Sequence, residues 1–146
     1  MKVTLKVTLF LLITSMSFSL CAQHDSVEVE KCKVEYDSIH GMDCYVSADR
    51  NATPVDGIGE LFKTFRKTLK LSKEDRELNE FGKYFFSFIV DENGTVISVK
   101  SIRGKITRPS LDLVYDILNS TEWIPGKCGD KYVPMKMILP CQICFK

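Results

Sequence analysis

The residues best able to carry chemistry are six cysteines and two histidines. Cys141 and Cys144 have the spacing of redox and metal motifs, but they fall in a segment that alternates like a β-strand, so their side chains point to opposite faces. Redox pairs of this spacing depend on a helix N-terminus that lowers the pKa of one thiol, and no helix is predicted there. A closed zinc site would need further ligands, and neither His24 nor His40 is near in sequence. The pair is therefore assigned a structural role, with Cys141 in the core and Cys144 exposed or bridged.

The other candidate catalytic groups are also poorly placed. His24 and His40, the two available bases for a nucleophilic site, lie in a polar stretch with little capacity for rigid structure. Asp91 and Glu92 adjoin a predicted turn and are better explained as solvated hairpin residues than as a glycosidase pair. Residues 57–59, Gly-Ile-Gly, lack the preceding strand and the third glycine of a phosphate-binding loop. The sequence predicts no enzyme, with no catalytic residues, no cofactor and no metal site.

The composition is that of one globular domain with additions. The chain has 146 residues, of which 45% are hydrophobic and 27% charged, and single domains cluster at roughly 100 to 150 residues. A formal net charge of +1 gives no electrostatic basis for binding nucleic acid. We expect residues 23–53 to form a loosely ordered N-terminal arm with one or two short strands, and residues 54–146 to form the domain.

Residues 1–22 have the features of an export signal peptide. Two lysines near the start precede a mostly apolar run over 7–16, and Ala22 is a small residue that suits cleavage. Two alternatives stay open: lipidation at Cys21, although Leu20 before it is not small, and retention as a membrane anchor, although a spanning helix needs about 20 apolar residues. We expect an exported protein of the bacterial periplasm or cell envelope, with membrane contact only through this N-terminus.

Export makes the cysteines candidates for disulfide bonds. Cleavage after Ala22 removes one of the six, so the remaining five cannot all pair within one chain. The sequence does not determine the connectivity. The first pairing to test is Cys32 with Cys44, because both lie in a polar segment with little apolar surface of its own. The disulfide candidates are Cys32, Cys44, Cys128 and Cys144.

Two segments have the periodicity of amphipathic helices. The first begins near 54–57, where Asp56 can cap the free N–H groups, and the second begins at Thr107 with Pro109 in its first turn. Residues 72–82 between the first helix and the next strand are charged, and they predict a loop with at most a helical turn. The apolar stripes are Ile58, Leu61, Phe62, Phe65 and Leu69 in the first helix, and Leu111, Val114, Tyr115 and Leu118, widened by Leu113 and Ile117, in the second.

Asn-Gly at 93–94 lies between two alternating apolar runs and predicts a β-hairpin of strands 84–90 and 95–102. Its core face comprises Phe86, Phe88, Val90, Ile97 and Val99, in either of the two available turn registers.

The segment 132–145 alternates as a third strand, preceded by Trp123, which is predicted to lie in the core. Pro134 and Pro140 are an even number of residues apart, so both lack a backbone N–H on the same lateral side of the strand. We therefore expect this side to pair poorly and the strand to lie at a sheet edge. The apolar face consists of Val133, Met135, Met137, Leu139, Cys141, Ile143 and Phe145.

The predicted order after the arm is helix, strand, strand, helix, strand. Antiparallel strands with helices on one face predict an α+β sandwich, in which two helices cover an antiparallel sheet of three or four strands.

Several motifs in this order resemble the C-terminal domain of the TonB energy transducers. The resemblance covers residues 54–145, and it includes Pro54 and the Gly-Ile-Gly before the first helix. The motifs are the hairpin at 86–96, Leu-Asp at 111–112, Trp-Ile-Pro-Gly-Lys at 123–127, Gly129 and Val133, and the apolar terminal strand with Pro140 and Phe145.

The resemblance implies a module without catalytic side chains that captures a segment of an outer-membrane transporter, or of another envelope protein, by adding it as a strand at the edge of the C-terminal strand. The candidate contact residues are Tyr132, Lys136, Ile138 and Gln142. Residues 23–53 are short and poor in proline, unlike the long spacer of a full transducer. The alternative is a small disulfide-stabilised secreted protein, structural or self-associating through the edge strand, without a transporter ligand.

Overall fold

The computed structural model of the chain describes residues 31–78 and 82–143. The predictions for the export signal peptide (1–22), Cys21, His24, Cys144 and Phe145 lie outside these ranges, as does the first part of the arm. The described chain is α+β, with three helices and a five-stranded sheet. Among its residues no helix is both long and apolar enough to cross a membrane.

The described secondary structure includes strands of the arm. The elements are β1 (Lys33–Asp37), β2 (Met42–Ser47), β3 (Thr53–Pro54), α1 (Gly57–Thr68), α2 (Lys73–Leu78), β4 (Lys83–Val90), β5 (Val96–Arg103), α3 (Arg108–Ser120), β6 (Trp123–Ile124), β7 (Gly126–Cys128), β8 (Lys131–Val133) and β9 (Met135–Gln142). The predicted helix, strand, strand, helix, strand order corresponds to α1, β4, β5, α3 and β9. Helix α2 is the helical turn expected in the charged segment.

The strands of the large sheet follow the order β1-β2-β9-β4-β5. Strand β4 pairs antiparallel with β5 and with β9, and the β4–β9 ladder has no irregularity. Strand β2 pairs with β9 in parallel, at Tyr45 and Met135. The sheet is therefore mixed and larger than the predicted three or four antiparallel strands, because the arm contributes β1 and β2.

Strand β9 lies between β2 and β4, so the prediction that it forms a sheet edge was wrong over its first residues. Pro134 lacks only the backbone N–H donor on this side of the strand. A proline keeps its carbonyl acceptor, and the Tyr45 N–H donates to the Pro134 carbonyl oxygen at 2.9 Å. This hydrogen bond needs no N–H from Pro134, so β2 can pair with the first residues of β9.

The helices cover one face of the sheet and bury most of the expected side chains. In α1, Leu61 and Phe65 are buried, whereas Ile58 in the first turn stays 51% exposed and Asp56 makes no side-chain cap. In α3 the buried apolar stripe is narrower than predicted, because Leu113 and Tyr115 face solvent. The core cluster includes Leu61, Phe65, Leu69, Tyr84, Phe86, Phe88, Val90, Val96, Val114, Ile117, Leu118, Trp123, Met135, Leu139 and Cys141.

A β-bulge changes the predicted core face of β5. The register shifts between Ile89 and Val90, so that Val96 lies opposite Val90. Val96 is buried and Ile97 is 46% exposed. The predicted burial of Ile97 was wrong because one extra residue reverses the parity of the strand, while Val99 packs against the core as predicted.

The hairpin turn and the Trp-Ile-Pro-Gly motif are in direct contact. Gly94 has a φ of 81°, and a Cβ at this position would collide with the Trp123 carbonyl oxygen. The Trp123 ring packs against Phe88 with centroids 5.3 Å apart, and its Nε1 donates to the Leu118 carbonyl at 2.9 Å. Trp123 is a core residue, as predicted, and Gly94 is needed both for its backbone conformation and for this close approach.

Asp75 is a buried carboxylate that joins α2 to α3. It accepts hydrogen bonds from the Ser72 hydroxyl at 2.7 Å, the Ser72 N–H at 3.0 Å and the Thr107 N–H at 2.5 Å, and from the Ser110 hydroxyl. Burial alone would raise the pKa of Asp75, but the hydrogen bonds from Ser110, Thr107 and Ser72 hold this pKa well below the usual range. The carboxylate thus accepts hydrogen bonds from backbone N–H groups at the N-termini of both α2 and α3.

Replacement of Asp75 should destabilise the fold in a pH-dependent way. We expect Asp75→Asn to lower the free energy of unfolding at neutral pH by about 2–3 kcal/mol, because a buried, charge-assisted network loses its acceptor. The folded-state pKa is below the unfolded one, so the stabilisation is present above about pH 4 and is lost as the pH falls further. Urea denaturation of both proteins at several pH values should show the difference between them shrinking below about pH 4.

The control for this measurement is Asp112→Asn. Asp112 is exposed and pairs with Arg108 at 3.0 Å one turn away, so its loss should cost at most about 0.5 kcal/mol. Equal effects of the two substitutions would contradict the role given to Asp75.

The disulfide bond joins Cys32 to Cys128, with Cα atoms 6.0 Å apart. The predicted pairing of Cys32 with Cys44 was wrong, because the β1–β2 register places Cys44 opposite Glu35 rather than opposite Cys32. Cys44 and Cys141 are free thiols, and both are buried. Cys141 was predicted to lie in the core. The bond attaches the start of the arm to the β7–β8 hairpin.

A non-reduced proteolytic digest should contain the Cys32 and Cys128 peptides linked to each other, with Cys44 as a free thiol. The variant with Cys32→Ser and Cys128→Ser should lose about 2–5 kcal/mol of unfolding free energy, since the bond closes a long loop. A linked Cys32–Cys44 peptide in the mass spectrum would contradict this connectivity.

Candidate functional site at the outer side of the C-terminal strand

Strand β9 has one fully paired side and one partly paired side. It pairs with β4 along its whole length, from Met135 to Gln142. On the other side β2 pairs with it only at Met135. In a strand, every second residue directs its backbone N–H and carbonyl to the same side. The Pro134 carbonyl points to β2. The backbone groups of Ile138 and Gln142, which are an even number of residues away, therefore also point away from β4. Among the described residues no strand pairs with them. We call this outer side of residues 138–142 the open edge.

Two of the four predicted contact residues lie at the open edge. Ile138 is 53% exposed, and Gln142 is also exposed. Tyr132 instead belongs to β8, where it is 56% exposed and the Lys127 ammonium lies 5.8 Å from its ring centroid. Lys136 is covered by the arm. The structure thus separates Tyr132 and Lys136 from the open edge.

Lys136 forms an ion pair with a buried carboxylate of the arm. Its Nζ lies 2.8 Å from Asp37 Oδ2, and the Ile39 N–H donates to Asp37 Oδ1 at 2.8 Å. Burial alone would raise the pKa of Asp37, but the hydrogen bonds from Lys136 and Ile39 and the charge of Lys136 hold this pKa below the ordinary value, and His40 lowers it further when the imidazole is protonated. Asp37 is buried, so this pairing with Lys136 offsets the loss of water around its carboxylate.

His40 occupies the same region, at the turn between β1 and β2. Its Nδ1 lies 2.8 Å from the Ser98 hydroxyl, its Nε2 lies 2.9 Å from the Ser87 hydroxyl, and its Nε2 is 4.0 Å from Asp37 Oδ2. The turn therefore packs on the face of the sheet opposite the helices, since Ser87 alternates with the core residues of β4. We call Asp37, His40, Ser87, Ser98 and Lys136 the arm clasp.

The environment of the imidazole favours its neutral form. Burial lowers the pKa of His40, the Asp37 carboxylate opposes this, and the charges of Lys136 and Lys100 reinforce it, so that the pKa lies below the ordinary value. The ring has no solvent-exposed surface. Serine, histidine and aspartate are adjacent here, but in this conformation the imidazole is closed to a substrate, and the three residues attach the arm.

In the part of the chain that the structure describes, Cys141 lies in the core, and Cys32 and Cys128 are bonded to each other. Burial raises the pKa of the Cys141 thiol, which disfavours the thiolate that redox or metal chemistry requires. Cys32, Asp49 and Cys128 place their donor atoms within 4.8 Å of one another, but the two sulfurs are bonded to each other. Asp49 Oδ2 instead accepts from the Gly129 N–H at 2.7 Å.

A cavity of about 640 Å³ lies beside the open edge, between α1 and the end of β9. Its walls are mainly apolar, and Arg66 and Gln142 are the polar residues that contribute to them. The residues around it are Gly59, Phe62, Phe65, Arg66, Leu69, Cys141, Gln142 and Ile143.

Comparison with protein-family models, with curated proteins and with solved structures finds no match to this chain.

The arm clasp should make attachment of the arm sensitive to acid. Because the folded-state pKa of His40 is lowered, its stabilising contribution is complete above about pH 6.5 and is lost as the pH falls towards that lower value. We expect the amide-exchange protection of Met42–Ser47 to decrease between about pH 7.5 and about pH 5, after correction for intrinsic exchange rates.

The control variant is His40→Asn, which cannot be protonated and should show little change in protection over the same range. Parallel behaviour of the wild type and this variant would contradict the role of His40.

Proposed function

We propose that this chain is a non-enzymatic protein-binding module of the bacterial envelope, resembling the TonB C-terminal domain, which takes an extended segment of another protein as an added strand on β9. The partner is an outer-membrane transporter or another envelope protein. The observation that carries the proposal is the open edge, where the backbone groups of Ile138, Pro140 and Gln142 face outward without a partner strand in the described chain.

The other two edges of the sheet are less suited to an added strand. Strand β5 has two register irregularities and a lysine, Lys100, at its centre. Strand β1 has an irregularity after Lys33 and an ion pair between Lys33 and Glu35. Bulges and charged side chains are the devices by which proteins protect edges from pairing. The β4–β9 ladder that underlies the open edge is regular.

The open edge also limits the ligand. Ile138 and Gln142 each offer an N–H and a carbonyl, whereas Pro140 between them offers only a carbonyl. Strand β2 occupies the outer side at Met135, so an added strand begins after that residue. The geometry supports a short segment, held by backbone hydrogen bonds and by contact with the exposed Ile138 side chain.

A proline at position 138 tests the proposal directly. Ile138 has the same parity as Pro134 and Pro140, so Ile138→Pro removes an outward N–H and leaves the pairing with β4 in place. Peptides from the N-terminal segment of an outer-membrane transporter should shift the amide resonances of residues 136–142 in the wild type, and should bind at least about tenfold more weakly to the variant.

Peptides that are N-methylated at alternate backbone positions provide a second measurement that does not depend on the stability of this variant. Only one of the two alternating patterns should abolish binding, because an added strand bonds to β9 through one side. Absence of amide shifts along β9 at millimolar peptide would rule out strand addition at this site.

A second candidate function is favoured by the disulfide bond between Cys32 and Cys128 and by the incorporation of the arm into the sheet. Both features suit a small secreted protein that is stabilised for a structural or self-associating role. In that case two copies pair through the open edge, and light scattering detects a wild-type dimer that Ile138→Pro converts to a monomer.

A further inference from the structure

The cavity between α1 and β9 has the size and lining of a binding pocket. Its volume of about 640 Å³ falls within the roughly 300–1,000 Å³ typical of ligand sites, which are mostly apolar with a few polar groups. Helix α1 supplies Phe62, Phe65 and Leu69, and β9 supplies Cys141. Gly59 adds open space, since no atom would lie within 4 Å of a Cβ there.

The cavity opens on the same side of β9 as the open edge. Residues 141–143 contribute to its wall, but no residue of β4 does. Because β4 pairs with β9 on the inner side at these positions, the cavity lies towards the outer side. A strand added at residues 138–142 would run along its mouth.

Alternate side chains of an added strand would point towards the cavity. Cys141 lies on the helix-covered face of the sheet, in the same core cluster as Phe65 of α1. Neighbouring strands keep their side chains in register on each face. Every second residue of the added segment therefore faces α1, next to Cys141.

Arg66 provides an uncompensated positive charge at this cavity. Among the described residues no carboxylate lies within ion-pairing distance of its guanidinium. Lys63 on the same helix, in contrast, pairs with Glu60. The last turn of α1 carries Arg66 and Lys67 without an acidic residue. A carboxylate of the ligand would meet a guanidinium that is free to form a bidentate pair.

We propose that the cavity selects the added segment: it holds one apolar side chain of the segment, and Arg66 pairs with a carboxylate an even number of residues away, on the same face. This inference rests on the proposed function and specifies the chemistry of its partner. The preferred ligand is an extended segment with an apolar and an acidic residue at positions i and i+2.

Short threonine-rich peptides test this spacing. One peptide carries leucine and glutamate at i and i+2, a second carries them at adjacent positions, and a third replaces glutamate by lysine in the first arrangement. We expect the first peptide to bind about tenfold more tightly than the other two, the scale of one charge-assisted hydrogen bond. NMR should show amide shifts at residues 138–142 and at Gly59 for every peptide that binds, since each carries the leucine, and a shift of the Arg66 Nε–H resonance for the first peptide only.

Substitutions on α1 assign the preference to Arg66. Arg66→Gln should remove the advantage of the first peptide, and Arg66→Lys should retain part of it. Lys67→Gln is the matched control, since it removes the same charge one residue along the helix from a side chain that does not line the cavity. We expect it to leave the tenfold preference unchanged.

The outcomes separate this inference from the proposed function. If no peptide shifts residues 138–142, both fail. If all three peptides shift them with equal affinity, strand addition stands and the selection by the cavity fails. Shifts at Gly59 without shifts at 138–142 would indicate a ligand that enters the cavity alone, and would overturn the inference. A preference that appears only in Phe145→Ala would assign the cavity to the chain's own Phe145 and would overturn it as well.

Discussion

The ladder between β4 and β9 is the interaction on which the other contacts depend. The two strands pair over eight positions without a bulge, and together they hold the middle of the sheet. Their helix-facing side chains, including Phe86, Phe88 and Leu139, form the centre of the core cluster. Strands β5 and β2 each attach to one member of this pair, and α1 and α3 pack on the surface that it presents. Because the ladder has no bulge, the outer backbone groups of β9 recur at every second residue without interruption.

Two buried carboxylates fasten the periphery to this centre in different ways. Asp75 accepts hydrogen bonds from hydroxyl and amide donors of the described chain, and none of these donors is a cation, so its contact between two helices keeps the same charge over the neutral pH range. Asp37 is held by Lys136 and lies near His40, two groups that carry or can acquire charge. The donors around Asp75 are neutral, so its contact between α2 and α3 does not change with the charge of a partner. The contact of Asp37 includes His40, so the attachment of the arm depends on pH.

The sequence predicted the part of the fold that local patterns encode. Helix α1, the hairpin with Gly94, helix α3 and the apolar face of β9 follow from periodicity and turn chemistry. The position of β9 within the sheet could not be predicted, because it depends on pairing with Tyr45, about 90 residues away in sequence. The burial of His40 and the bulge at Ile97 likewise arise from tertiary contacts that no short pattern marks. The outward direction of the backbone at Ile138 and Gln142 was predictable because the alternation of a strand is local, whereas the position of Arg66 beside the cavity was not, because a basic helix face is usually only solvated.

The order of strands in the sheet has a consequence for how the chain acquires its structure. Strand β9 is the last element of the described chain, yet it lies at the centre of the sheet, between strands that precede it by about 50 and about 90 residues. Strands β2 and β4 have no common neighbour until this segment pairs with both, so the five-stranded sheet closes only when contacts of large sequence separation form. Long-range closure of this kind makes folding slow.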